Sequence, residues 1–142
     1  MLLNDLLAPW FHYSGRESIS GLTLNSREVQ AGSLFVALPG YKVDGRSFIS
    51  QAVQAGATAI LIHTDNPDEH GLVDRLQYNV PLVYFFQLGR QLSAVAAQFY
   101  LSNRQSLSLI GITGTNGKTS VSQIIAQIVA LLGHQAAVMG TL

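Results

Sequence analysis

The chain has 142 residues, no formal net charge, 48% hydrophobic residues and only 11% charged ones. That composition supports a packed core and excludes a disordered chain or a basic nucleic-acid binder. Without cysteine it can form neither a disulfide nor a thiolate metal site.

The N-terminus, Met1 to Trp10, lacks the basic region and apolar core of a signal peptide, and no apolar run is long enough to predict a membrane-spanning helix. Leu2 to Leu7 reads as a short helix or turn before Pro9. Leu22 to Leu24 and Leu34 to Leu38 read as strands separated by a turn at Gln30-Ala31-Gly32. Ser47 to Ala55 reads as a helix with Phe48, Ile49, Ala52 and Val53 on one face, ending at Gly56, where a left-handed residue is expected. Ala59 to Ile62 is a buried strand, Thr64 to Gly71 a polar loop, Leu72 to Gln77 a short helix, and Leu82 to Phe86 another strand. Leu88, Leu92, Val95 and Phe99 recur at helical spacing, predicting an amphipathic helix over 88–101. Leu107 to Thr113 reads as a strand that runs into a glycine-rich loop. A helix apolar on several faces follows over 118–132 and stops at Gly133, and Ala136 to Met139 begins one more strand. Strands interleaved with helices predict an α/β fold, with a boundary near 87/88. A small mixed α/β domain is expected over 1–87, and the start of a domain with a mostly parallel sheet over 88–142.

Gly114-Thr115-Asn116-Gly117-Lys118-Thr119, between a predicted strand and a predicted helix, has the character of a phosphate-binding loop. Glycines let the backbone approach phosphate oxygens, and consecutive N–H groups at the helix start face the anion. Lys118 brings a positive charge to the outer phosphates, and Thr119 offers a hydroxyl to Mg²⁺. The match to G-x-x-x-x-G-K-[ST] is incomplete, because Ile112 stands where the first glycine belongs. The alternative is a glycine-rich turn followed by an ordinary surface lysine; the flanking elements favour the phosphate loop. All eight acidic residues lie at or before Asp74, so the half that carries the loop has no carboxylate for a metal ion. The expectation is a nucleotide domain that these residues only begin. The four histidines show no metal-ligand spacing and read as structural or solvent-facing.

Four stretches together resemble the Mur ligases of peptidoglycan synthesis. They are Thr23-Leu24-Asn25-Ser26-Arg27, the strand Gly32 to Gly40, the segment Asp44-Gly45-Arg46-Ser47-Phe48-Ile49 continuing to Gly56-Ala57, and the loop itself. Leu6 to Trp10 and Val138-Met139-Gly140-Thr141 are similar to the family member that adds the third residue of the stem peptide. The resemblance implies a first domain that binds the uridine end of UDP-MurNAc-L-Ala-D-Glu through Leu24, Ser26, Tyr41, Lys42 and Val43. It implies ATP binding by Gly114, Thr115, Asn116, Gly117, Lys118, Thr119 and Ser120, with Lys118 and Thr119 catalytic and Thr119 a Mg²⁺ ligand. The implied protein is a cytoplasmic monomer, independent of membrane and nucleic acid. Using ATP and Mg²⁺, it joins an amino acid, meso-diaminopimelate or L-lysine, to its substrate.

The sequence departs from the family at Asn25, where aspartate is common, at Tyr41-Lys42-Val43, where a related form has His-Gln-Ala, and at Ser120, which replaces a threonine. Spacing alone makes Asn25-Ser26 a capping pair at a strand end, and the resemblance shifts Ser26 towards substrate. Arg27 is open between a phosphate contact and an ion pair with Glu28 or Asp44, and Arg46 is a weaker phosphate candidate. The isolated chain is expected to have no ligase activity. Alternatives are a UDP-sugar-binding module without catalysis, the related MurF ligase, and a P-loop NTPase of another kind.

Overall fold

The computed structural model describes residues 1–41, 43–101 and 108–140. They fall into two compact units, Met1–Arg104 and Gln105–Leu142.

The first unit is a sheet with helices on both faces. Its strands are β1 (Gly21–Thr23), β2 (Ser33–Ala37), β3 (Ala59–Thr64), β4 (Val73–Asp74) and β5 (Leu82–Phe86), in the order β1-β2-β3-β5-β4. β1, β2, β3 and β5 are parallel, with Leu22 beside Leu34, Phe35 beside Ile60 and Leu61 beside Val83. β4 runs antiparallel along β5. The period-2 pattern of a strand sends alternate residues to opposite faces. Leu34, Val36, Ala59, Leu61, Val83 and Phe85 face helices α1 (Leu3–Leu7) and α3 (Leu88–Tyr100). Phe35, Ala37, Ile60, Ile62 and Leu82 face helix α2 (Ile49–Gln54), which contributes Ala52. Both faces of the central strands are buried, so they read as continuous apolar runs.

Gly56 ends α2 with φ +100°, the left-handed turn expected there, and Ala57 is buried directly behind it. The helical period of α3 is realised: Leu88 and Val95 are buried, and Leu92 and Phe99 lie against the same core. This face of α3 packs over the sheet, within the compact unit Met1–Arg104.

The predicted helix at Leu72 to Gln77 is a strand instead. Gly71 N–H donates to Tyr84 O (2.9 Å) and Tyr84 N–H to Leu72 O (2.9 Å). The open edge of β5 has unpaired backbone groups, and pairing with them outweighs the local helical pattern. In the second unit, helix α4 (Lys118–Leu131) forms as expected. The two strands predicted around it do not: residues 108–113 and 136–139 are extended or irregular without a ladder, and Leu107 lies outside the described residues. A strand needs a neighbour for its hydrogen bonds, and the described residues supply none there. No residue of α4 is buried; Ile124, Ile128, Leu131 and Leu132 are exposed. Among the described residues no helix is long and apolar enough to cross a membrane.

His70 gives the first unit a pH dependence. Its ring meets Phe11 and Phe85 edge-on, with centroids 4.7 and 4.9 Å away, and Nδ1 accepts the Phe86 N–H at 3.0 Å. Burial lowers its pKa below the ordinary 6.5. The unfolded chain therefore takes up this proton first, so stability is full above about pH 6.5 and falls as the pH drops towards the lowered folded value. Glu17, whose ordinary value is 4.5, belongs to a separate, more acidic window. Burial alone would raise it, but Arg75 and Tyr13 hold it lower. Urea midpoints at pH 7.5 and 5.5 should differ in the native chain and converge in His70→Asn. An equal pH response in both proteins would contradict this assignment.

Candidate functional site

Parallel strands share one carboxyl edge, and in open α/β sheets ligands bind in the crevice outside it. That edge carries the residues after β1, the loop after β2, the end of β3 and the start of α3. Leu24 follows β1 and is half exposed. Asn25 then caps a 3-10 turn, Ser26–Glu28, with Oδ1 accepting the Arg27 N–H (3.1 Å), while Nδ2 donates to Glu28 Oε1 (2.9 Å). Both ends of the Asn25 amide are thus used locally. An aspartate there would keep the cap but set two carboxylates against each other. This accounts for the asparagine at that position by turn chemistry, and it leaves Arg27 without an ion pair to Glu28 or Asp44.

Ser26 is largely buried, and its Oγ–H donates to Gln51 Oε1 on α2 at 2.9 Å. The loop after β2 is closed by a bridge between Pro39 and Asp44, by Gly40 N–H to Val43 O (3.1 Å) and by Gly45 N–H to Leu38 O (2.8 Å). Gly45 has a steric reason to be glycine, since a Cβ there would lie 2.7 Å from Leu38 O. Tyr41 is fully exposed at the tip of this loop and Val43 largely so; Lys42 lies outside the described residues. Leu24, Ser26, Tyr41 and Val43 therefore lie at the carboxyl ends of β1 and β2.

Asp44 is turned to Arg46, which donates Nε to both carboxylate oxygens (3.0 Å each) and Nη2 to Oδ2 (2.6 Å). This bond holds the Asp44 carboxyl below its usual range and raises the guanidinium. At the end of β3, His63 bridges two elements. Its Nδ1 accepts the Gly89 N–H at the start of α3 (3.3 Å), and Nε2 lies 3.1 Å from Asp65 Oδ1. The first of these contacts makes Nδ1 the acceptor and leaves the proton on Nε2. Gln87 precedes α3 with φ +50°, and its N–H donates to Thr64 O (2.9 Å). Sequence reasoning missed Gln51 and the His63–Asp65 pair. A glutamine on an exposed helix face and a histidine ending a strand carry no motif, and their partners are distant in sequence or unrelated to any pattern.

In the second unit, residues 113–120 are exposed. Gly117 has φ +76° and is the residue before α4, a conformation that a side chain would strain. Val121 N–H is the first to bond back, to Gly117 O at 2.9 Å. The N–H groups of Lys118, Thr119 and Ser120 have no partner within α4 and point out of its positive end. Lys118 Nζ donates to Gly114 O at 2.6 Å, so the lysine folds back over its own loop. The Thr119 hydroxyl has no partner among the described residues, and its carbonyl accepts the Ser122 hydroxyl (2.8 Å). No group of three His, Cys, Asp or Glu that could hold a metal ion occurs among the described residues. A groove of about 570 Å³ lined by Tyr13, Leu72, Arg75, Leu76 and Tyr84 lies along β4, at the opposite edge of the sheet from β1, and contains none of the residues singled out from sequence.

Residues 18–100 match the Mur ligase family, catalytic domain. The chain is 49% identical over 124 residues to the UDP-N-acetylmuramoyl-L-alanyl-D-glutamate–2,6-diaminopimelate ligase of Haemophilus influenzae (strain 86-028NP), covering 87% of this chain and 25% of that protein. The protein of the same name from Buchnera aphidicola subsp. Acyrthosiphon pisum (strain APS) is 46% identical over 140 residues, covering 99% and 28%. Among solved structures, the MurF ligase of Thermotoga maritima in complex with ADP superposes with a TM-score of 0.57 at 26% identity, covering 91% of this chain and 25% of that one. The chain thus spans about a quarter of the length of the relatives it matches.

Proposed function

From the premise that this chain belongs to the Mur ligase family, we propose that its first unit binds the uridine end of UDP-MurNAc-L-Ala-D-Glu and that its second opens an ATP-binding domain. The complete activity is ATP-dependent ligation of the third stem-peptide residue, meso-diaminopimelate, in the cytoplasm. The relatives that carry this name across nearly the whole of this chain support the substrate. The observation that carries the reading is the exposed loop Gly114 to Ser120, in which three helix-start N–H groups have no partner within α4 and a lysine lies folded over the loop on the Gly114 carbonyl.

In this mechanism the loop N–H groups bind the ATP phosphates. Lys118 exchanges its bond to Gly114 O for one to the outer phosphate oxygens and follows the charge that develops during transfer. The γ-carboxylate of D-glutamate attacks the γ-phosphorus, ADP leaves, and an acyl phosphate forms. The amine of the incoming amino acid then attacks the acyl carbon and releases phosphate. The Thr119 hydroxyl, which has no partner among the described residues, is the group of this loop that would hold Mg²⁺, and the ion would supply charge neutralisation for the phosphates. A single hydroxyl is an incomplete protein shell, so the remaining ligands would be phosphate oxygens, water and carboxylates from outside these residues.

Calorimetry separates this reading from its rivals. UDP-MurNAc-L-Ala-D-Glu should bind the chain, ATP with Mg²⁺ should bind weakly, and no amide should form when all substrates are present. Amide formation by these 142 residues would overturn the need for further sequence. Uridine binding with no ATP binding at all would favour a UDP-sugar module.

A further inference from the structure

We infer that Asn116 is a self-modifying site: while the loop stands empty, the Gly117 backbone nitrogen attacks the Asn116 side-chain amide, and the aspartate or isoaspartate that results weakens nucleotide binding. The modification follows from these two residues and their surroundings. Its effect on nucleotide rests on the phosphate-loop reading of Gly114 to Ser120.

An asparagine side chain can close on the next backbone nitrogen to give a five-membered succinimide ring. The next residue must have an N–H to use, its side chain must not hinder the approach, and the amide must not be held elsewhere. Asn4 lies inside α1 with its amide oxygen buried, and a helical side chain leans towards the helix N-terminus, away from the next nitrogen. The Asn25 amide is tied to the Arg27 N–H and to Glu28. Asn66 accepts the Asp68 N–H and precedes Pro67, which has no N–H. Asn79 is exposed, but the branched side chain of Val80 follows it. Asn103 lies outside the described residues. Asn116 meets all three conditions. Gly117 offers an N–H with no side chain in the way, and even a methyl group there would meet nothing within 4 Å. Both residues are exposed, and neither the Asn116 amide nor the Gly117 N–H has a hydrogen-bond partner among the described residues.

The step needs no reagent but water. The Gly117 nitrogen gives up its proton and bonds to Asn116 Cγ. The Cγ–Nδ2 bond breaks, and ammonia leaves with that proton. Water then opens the ring at one carbonyl to give aspartate, or at the other to give isoaspartate, in which the main chain runs through the side-chain carbon. Either product sets a carboxylate in a loop whose helix-start N–H groups suit an anion. That carboxylate would compete for Lys118, now held by the Gly114 carbonyl at 2.6 Å, and repel an incoming phosphate. A phosphate that takes up the Gly117 N–H removes the nucleophile, so occupancy protects the site.

The test is incubation of the chain in warm, mildly alkaline buffer, with each asparagine followed by peptide mass spectrometry and isoaspartate by enzymatic methylation. Asn116 should convert about tenfold faster than Asn79, whose neighbour is hindered. Gly117→Ala keeps the asparagine, hinders the nitrogen, and should slow the conversion several-fold, as should saturating ADP on the native chain. Asn116→Asp, the product made directly, should bind ATP about tenfold more weakly than the fresh native chain, with helix content by circular dichroism the same in both. Conversion of Asn116 no faster than Asn79 would overturn the inference. So would equal ATP binding by the native chain and Asn116→Asp. Conversion that bound ADP does not slow would overturn the protection by occupancy. A native chain that converts at Asn116 but never binds ATP would refute the phosphate-loop reading and leave the modification demonstrated.

Discussion

Lys118→Ala should weaken ATP binding about 10- to 100-fold and leave AMP binding unchanged. A charge-assisted hydrogen bond is worth roughly 1.5–3 kcal/mol, and Lys118 is the sole charged side chain of the loop. The native side chain already has a partner, the Gly114 carbonyl at 2.6 Å, so binding gains the difference between two contacts. That difference favours phosphate, because the carbonyl is neutral and the loop is open to water, whereas phosphate brings full charge opposite the ammonium. AMP lacks the outer phosphates and reports on the rest of the site alone. Fluorescence titration with ATP, ADP and AMP is the measurement. An equal loss for all three nucleotides would mean that the substitution damages the loop, and no loss for ATP would remove Lys118 from phosphate binding.

Phe85→Ala should destabilise the first unit by about 3–5 kcal/mol. Phe85 is 1% exposed and stands at the centre of an aromatic cluster. Its ring lies 5.5 Å from Trp10, 5.6 Å from Phe11 and 4.9 Å from His70, each edge-to-face. Truncation loses the burial, leaves a cavity, and removes three ring contacts at once. Its neighbour Phe86 donates to His70, so the same cavity would loosen the contact that confers the pH response. Domains of this kind have a total stability of about 5–15 kcal/mol, which makes the variant marginal at room temperature. Urea denaturation followed by tryptophan fluorescence reads the change directly, since Trp10 packs on Phe85. Phe85→Leu, which conserves most of the volume, should cost about 1.5 kcal/mol or less. A Phe85→Ala loss below 1 kcal/mol would mean that the cluster relaxes to fill the space.

Most of the first unit was legible because its patterns are strong. β2, β3 and β5 are apolar on both faces, and the Leu88, Leu92, Val95, Phe99 spacing of α3 has one workable period. β4 was misread as helix because two residues carry no period, and only the edge of β5 supplies the reason for a strand there. In the second unit, the strands expected beside α4 depended on neighbours that the described residues do not provide.

The sites divide in the same way. A phosphate loop is local chemistry: glycines that permit positive φ, a lysine and a hydroxyl at fixed spacing, and a helix start whose N–H groups must be free. The proposal for Gly114 to Ser120, and the family resemblance built on it and on the Thr23 to Gly56 stretches, rest on residue order alone. The crevice at the carboxyl edge could not, because it is assembled from separate crossovers. Ser26 being turned to Gln51 and His63 reaching the Gly89 N–H are matters of which groups the folded sheet brings within hydrogen-bond reach. Sequence order carries hydrophobic period and local turn chemistry, and hydrogen-bond partners distant along the chain are settled only when the strands come into register.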